Sequence, residues 1–185
     1  MRGGVTEQPH IPPPVDPALR AAVREVEAHA AAAGWDQPAQ LYALVPTAEL
    51  IAAEPGLAAQ LGLDEVDDAG SFTPIEQEVP LDRALEEVLQ GISWPATVVG
   101  CVAVVERLVL PPAAEAALPE DAQGALDVAA SHPDRQEVRM AVAVTRDGRS
   151  HCALRLRAYE GEADVLDGPD LVPTLVALLF ETLTD

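Results

Sequence analysis

Hydrophobic and polar positions alternate most regularly between Gln136 and Ala158, QEVRMAVAVTRDGRSHCALRLRA. Val138, Met140, Val142 and Val144 alternate with Glu137, Arg139, Ala141, Ala143 and Thr145, the period of two that marks a β-strand. On the return, Cys152, Leu154 and Leu156 alternate with His151, Ala153, Arg155 and Arg157. Asp147-Gly148 between them is a hairpin signal. A two-residue loop would set Met140 opposite Arg155 and mix the faces. A three-residue loop, Arg146-Asp147-Gly148, with Gly148 left-handed as a bulge, avoids this. It pairs Thr145 with Arg149, Val142 with Cys152, Met140 with Leu154 and Val138 with Leu156. The other face then carries Ala143 opposite His151, Ala141 opposite Ala153, Arg139 opposite Arg155 and Glu137 opposite Arg157.

The rest of the chain reads as follows. Residues 1–15, with Pro9, Pro12, Pro13 and Pro14, have little periodicity and read as a disordered tail, leaving 16–185 as a single domain. Asp16-Pro17 is a helix start and Gly34 a helix stop, which predicts a helix over 17–33. Its stripe is Leu19, Val23, Val26 and Ala30, with Arg20, Arg24, Glu25 and Glu27 expected on the wet face. After a turn at Trp35–Pro38, Gln40–Val45 is a short strand, and short helices follow from Thr47 to Ala53 and over Pro55–Leu61. Residues 64–71 read as a loop, and Phe72–Val79 as an edge strand because of Pro74. Leu81–Gln90 is predicted helical, with Leu81, Leu85, Val88 and Leu89 inward. Thr97–Leu110, apolar on both faces, belongs at the centre of the sheet, with a bend near Gly100. Ala113–Pro133 reads as a loop holding a short helix near Ala125–Ala130. An acidic loop over Gly161–Gly168 and a helix over Pro169–Leu183 complete the chain.

Strands that follow one another without crossover helices argue antiparallel pairing. The expected class is α+β, a two-layer domain with a mainly antiparallel sheet of four or five strands and helices on one main face. The first and last helices are expected on the Val138/Met140/Val142/Leu154/Leu156 face. At 185 residues the chain can bury a core without staples.

Charge narrows the partners. The chain has 31 acidic and 11 basic residues, a net charge of −20, and six of its bases lie between Arg135 and Arg157. Such a field repels nucleic acid and anionic membrane surfaces, so neither is an expected partner. Every base is arginine, which excludes lysine chemistry such as a Walker A loop or a Schiff base. Alanine richness and the absence of lysine suggest a GC-rich genome, and salt adaptation is an alternative source of the acidity. No apolar run is long enough for a membrane span and no charged-then-apolar leader opens the chain, so the expected location is the cytoplasm. There, Cys101 and Cys152 are expected as free buried thiols.

Candidate chemistry concentrates on the hairpin. Arg139 and Arg155 directly opposite each other repel, which calls for an anion. It is either an acid of the chain, such as Glu137, Glu76 or Glu78, or a bound carboxylate or phosphate. His151 and Cys152, adjacent on a strand, face opposite ways and form no dyad. A Cys101–His151 dyad requires matching faces. His132-Pro133-Asp134-Arg135 reads as a turn capped by Asp134. Trp35 and Trp94 either cover core edges or anchor a partner. No spacing of His, Cys, Asp or Glu fits a metal site, and no glycine-rich phosphate loop or nucleophile elbow occurs. No catalytic residue and no cofactor are assigned.

Several segments resemble an uncharacterised actinobacterial family of small acidic cytoplasmic proteins of unknown function. They are Ala33-Gly34-Trp35-Asp36-Gln37-Pro38, Leu44-Val45-Pro46-Thr47-Ala48-Glu49-Leu50, Trp94-Pro95, the run VVERLVLPP ending at Pro112, His132-Pro133-Asp134-Arg135 through Arg139, and Gly168-Pro169-Asp170-Leu171-Val172-Pro173. The resemblance implies no activity and no catalytic residues. By architectural analogy the layout is similar to secretion-chaperone-like domains. The first expectation for function is therefore a non-enzymatic protein-binding, adaptor or chaperone-like module. It would hold a protein or peptide segment on the Ala141/Ala143/Ala153 patch, rimmed by Arg139, Arg155 and His151, or along the sheet edge. The alternative is a small-anion-binding domain or enzyme using Arg139, Arg155 and Arg157. A third expectation is a homodimer through the hairpin or the long central strand.

Overall fold

The computed structural model describes residues 14–63, 70–159, 161 and 164–184. Most of the expected N-terminal tail and of the 64–71 loop lies outside them. In chain order the elements are α1 (Pro17–Ala33), β1 (Gln40–Pro46), α2 (Thr47–Ala53), α3 (Pro55–Gln60), β2 (Phe72–Gln77), α4 (Leu85–Gln90), β3 (Gly100–Val109), α5 (Pro112–Ala116), α6 (Ala122–Ser131), β4 (Gln136–Thr145), β5 (Ser150–Leu156), β6 (Leu166–Gly168) and α7 (Pro173–Leu183). All strands join one open antiparallel sheet in the order β2-β1-β3-β4-β5-β6. The fold is α+β, with six described strands rather than four or five.

The hairpin has the register derived above. Val138 faces Leu156, Arg139 faces Arg155, Met140 faces Leu154 and Val142 faces Cys152. Thr145 N–H donates to Arg149 O at 2.9 Å, and Gly148, at φ +88°, closes the three-residue loop. Gly100 permits a close approach: a Cβ there would meet the Val144 carbonyl oxygen of the neighbouring strand.

Helices cover both faces of the sheet, so the expected two-layer arrangement is corrected to three layers. On one face α4 and α7 bring Leu85, Leu89, Leu175 and Leu179 onto Cys101, Ala103, Val142 and Val144. On the other, α1 brings Leu19, Val23 and Val26 onto Val102, Val104, Ala141, Ala143 and Ala153. Each such Leu or Val, once buried, contributes about 1.5–3 kcal/mol. Only α7 lies on the face predicted for both terminal helices. Helix α1 takes the opposite one because alanines at 141, 143 and 153 let a helix approach closely. The patch offered above as a docking surface is thereby filled, and those three alanines are fully buried.

Further corrections have local causes. Helix α7 begins at Pro173 rather than Pro169, because the residue before a proline is pushed out of the helical region, and Val172 sits at φ −133°, ψ 70°. The 161–168 loop yields β6, three residues pairing with β5. The 113–133 loop holds two helices, and Asp121 caps the second by accepting from Gly124 N–H at 2.7 Å. Helix α4 starts at Leu85, and Leu81, assigned to the core, is 81% exposed. The hairpin strands and β3 are interior to the sheet, with β6 covering β5 over Cys152–Leu154.

Candidate functional site

The hairpin arginines turn to carboxylates of their own chain. Arg155, nearly buried, makes a two-pronged pair with Glu27 of α1, with Nη2–Oε2 at 3.0 Å. Glu27 is 2% exposed, not on the wet face. It lies four residues after Val23, on the apolar stripe itself, a signal the sequence carried. Arg139, 1% exposed, donates to Glu106 Oε1 at 2.9 Å and to the Gly34 carbonyl. Arg157 binds both carboxylate oxygens of Asp36 at 3.0 Å and Glu137 at 2.9 Å. Opposed Arg139 and Arg155 thus diverge to separate acids from different elements rather than converging on one anion.

These contacts assemble around the turn after α1. Gly34 has φ +91° and Asp36 φ +63°, a left-handed conformation that a short acidic side chain tolerates. The Asp36 N–H donates to Glu106 Oε2 at 2.8 Å. The Trp35 ring lies 4.3 Å from the Arg139 guanidinium and 5.6 Å from that of Arg157, within cation–π range of both. Trp35 is half-buried over these two guanidinium groups. Trp94 is buried and donates to Thr182 Oγ1 at 3.0 Å.

His151 is fully buried, and neither ring nitrogen makes a hydrogen bond. Its Nε2 lies 3.5 Å from Asp167 Oδ1, an electrostatic contact at the limit of reach. Asp167 is itself held by both donors of Arg20 at 3.1 Å and by Arg24 at 3.7 Å. Burial pushes the imidazole pKa below its ordinary value, and Asp167 opposes that shift only in part. Cys101 lies on the α7 face, opposite to His151, so the two form no dyad. Its thiol, against Thr182, is pushed up by burial to about 12. Both cysteines are free. In the 132–135 turn it is His132 Nδ1 that accepts from Asp134 N–H, at 3.1 Å, not Asp134 that caps. Among the described residues no group of three or more His, Cys, Asp or Glu could hold a metal ion, and no helix is long and apolar enough to cross a membrane.

The concave surface lies elsewhere, at the end of the sheet where β1 begins and β2 ends. The β1–β2 ladder stops at the Leu41–Gln77 pair, and beyond it the two chains part. Residues 37–40 and 76–81 then line a cleft of about 850 Å³. A second slot, about 360 Å³, adjoins it at Gln37 and is lined by Trp35, Asp36, Glu106, Arg107, Leu108 and Glu137. The two carry five carboxylates, of which Glu106 is paired with Arg139 and Asp36 and Glu137 with Arg157, and one guanidinium of their own lining, Arg107. Arg107 is tied to Glu86. Glu76 and Glu78 are exposed and make no ion pair among the described residues. Buried Tyr42, cross-strand from Glu76, has its pKa raised by burial and then by that carboxylate, and its hydroxyl donates to Gln40 Oε1 at 3.2 Å. Leu81 stands at the rim.

Of the sequence candidates, Arg139 and Arg157 meet at the Trp35 turn, whereas Arg155 and His151 lie under α1, each with its own acid. Glu76 and Glu78 entered only as partners for the arginines, and Leu81 as core. Two acids two apart on a Pro-marked edge strand were the available signal.

Comparison with curated proteins finds no match, and comparison with solved structures finds none. The secretion-chaperone analogy therefore has no matching structure behind it. A family profile described as PPA1309-like protein matches residues 19–184, nearly the whole described domain, and the chain belongs to that family.

Proposed function

We propose that this protein is a non-enzymatic partner-binding module that takes a segment of another protein at the open end of its sheet. The observation that carries the reading is the cleft where β1 begins and β2 ends, in which Glu76 and Glu78 are exposed and make no ion pair among the described residues, with Leu81 81% exposed beside them. An exposed leucine on an acidic concave surface suits a segment bearing both arginine or lysine and aliphatic side chains. This keeps the edge docking expected from the sequence and moves it off the filled alanine patch. The anion-binding alternative has no supporting geometry, since Arg139, Arg155 and Arg157 all face acids of the chain. A cytoplasmic location belongs to the same reading, supported by two free thiols. So does an actinobacterial origin, supported by the all-arginine basic set.

Calorimetric titration tests it. The wild type binds acetyl-LRLRLR-amide and not acetyl-LELELE-amide, and binding weakens as salt is raised. Leu81→Ala lowers affinity about tenfold, or about 1.4 kcal/mol, and Glu76→Arg/Glu78→Arg abolishes binding. Equal binding of both peptides, or undiminished binding by the double variant, sinks the reading.

A further inference from the structure

We infer that the partner segment joins the sheet as a seventh strand along the outer edge of β2, and that it carries basic residues at alternate positions. This rests on the binding reading above and keeps Glu76 and Glu78 of its site, placing the segment on the side of β2 away from β1 and the Gln37 slot. Among the described residues β2 is a terminal strand. Its register sets Pro46 opposite Phe72 and Leu44 opposite Pro74. Neither proline has an N–H, so these positions are the non-hydrogen-bonded pairs of the β1–β2 ladder. The Thr47 N–H bond to Ser71 O, at 3.0 Å, fits the same parity. Thr73, Ile75 and Gln77 therefore bond inward to β1, while Phe72, Pro74 and Glu76 turn their main-chain groups outward. Pro74 offers no outward donor and blunts the first half of the edge. Glu76, whose carbonyl accepts from Gln77 Nε2 at 3.3 Å, a contact an incoming strand would displace, is left as the template with Glu78 two residues on.

The side chains supply the selectivity. Glu76 is paired with Tyr42, whose ring belongs to the α1 face, and Glu78 shares its parity. Residues two apart on a strand stand about 6.6–6.8 Å apart on one face. An incoming strand presents its own alternate side chains to them at the same spacing, so a basic–apolar–basic pattern meets both carboxylates. The intervening apolar residues fall on the opposite face, where Ile75 and Val79 are partly buried against the core. A second copy of this chain is a poor occupant, because it would bring Glu76 and Glu78 against their own kind, and like charges opposite each other repel.

The experiment compares three peptides on the intact protein by calorimetry. They are acetyl-LRLRLR-amide, the same peptide N-methylated at alternate amides, and acetyl-LLLRRR-amide, of equal charge and composition. The alternating peptide binds. The N-methylated and block peptides bind at least tenfold more weakly, and hydrogen exchange slows at the Glu76 and Glu78 amides. Glu76→Pro, which copies the arrangement at Pro74, also loses at least tenfold, while Glu76→Gln loses only a few-fold. Should Glu76→Pro fail to fold, the N-methylated peptide decides the matter on the wild type. Equal binding of the N-methylated and parent peptides overturns the strand inference and leaves the binding module standing. Failure of both acetyl-LRLRLR-amide and acetyl-LLLRRR-amide to bind overturns the module itself.

Discussion

Burial decides what His151 and the two thiols do. As pH falls, the unfolded chain, with its imidazole near 6.5, takes up a proton before the folded protein, where the pKa is depressed. The folded state thus has its full stability above about pH 6.5 and loses it below, at no more than about 1.4 kcal/mol per pH unit for this one group. His151→Leu is expected to flatten urea-derived stability just below pH 6.5. An unchanged slope would assign it to other groups. Asp167 acts at lower pH. Burial alone would raise its pKa, but Arg20, then His151 and Arg24, hold it below the usual carboxylate value. Its contribution is present above the ordinary carboxylate pKa and is lost as pH falls through its own. Cys101, pushed up to about 12, and Cys152, raised by burial, are expected to be inert to a thiol reagent in the native protein. Both react in concentrated denaturant, and a native signal would contradict the buried placement. The burial of Cys101 and Cys152 was legible, because each sits in an apolar alternation. The isolation of His151 was not, because it depends on α1 lying above it.

At the scale of elements, the Glu27–Arg155 pair decides how α1 sits on β5. Arg155→Met leaves a buried carboxylate without its cation, and a loss of about 3–5 kcal/mol is expected in denaturant unfolding. Glu27→Met/Arg155→Met is expected to recover most of it, since apolar groups of similar volume replace buried ion pairs at little cost. A double variant as unstable as the single would show that packing, not the lone charge, is responsible. The hairpin register was legible because strand periodicity and loop chemistry are both local, and only the bulged loop kept the apolar set on one face. The extent of α1 was legible from Asp16-Pro17 and Gly34. Its side of the sheet was not: both hairpin faces carry residues a helix can cover, one large and aliphatic, the other small. Strand β6 was illegible, since Leu166-Asp167-Gly168 becomes a strand only because β5 lies beside it.

Across the whole molecule, a charge of −20 opposes compaction. The pairs that cross between elements, Arg155–Glu27 and Arg139–Glu106, are shielded from solvent, so salt screens the repulsion more than these attractions. Raising sodium chloride from about 10 mM to about 0.5 M is expected to raise Tm by roughly 2–4 °C, or about 1 kcal/mol. A fall would mean that exposed ion pairs dominate. If the proposed capture of a cationic peptide holds, the same salt is expected to weaken it, so stability and binding would move in opposite directions. The net charge was legible in composition alone, and Pro74 marked the edge strand. The cleft was not, because it exists where β1 and β2 part beyond Leu41–Gln77, close to the Trp35 turn. By itself the sequence determined most of the element types, the antiparallel class and the hairpin register, all properties of local periodicity and turn chemistry. Only the tertiary structure decided which face α1 covers, which acid answers each arginine, and where a concave surface opens. Each of those depends on residues far apart in the chain arriving at one place, and no local pattern encodes that meeting.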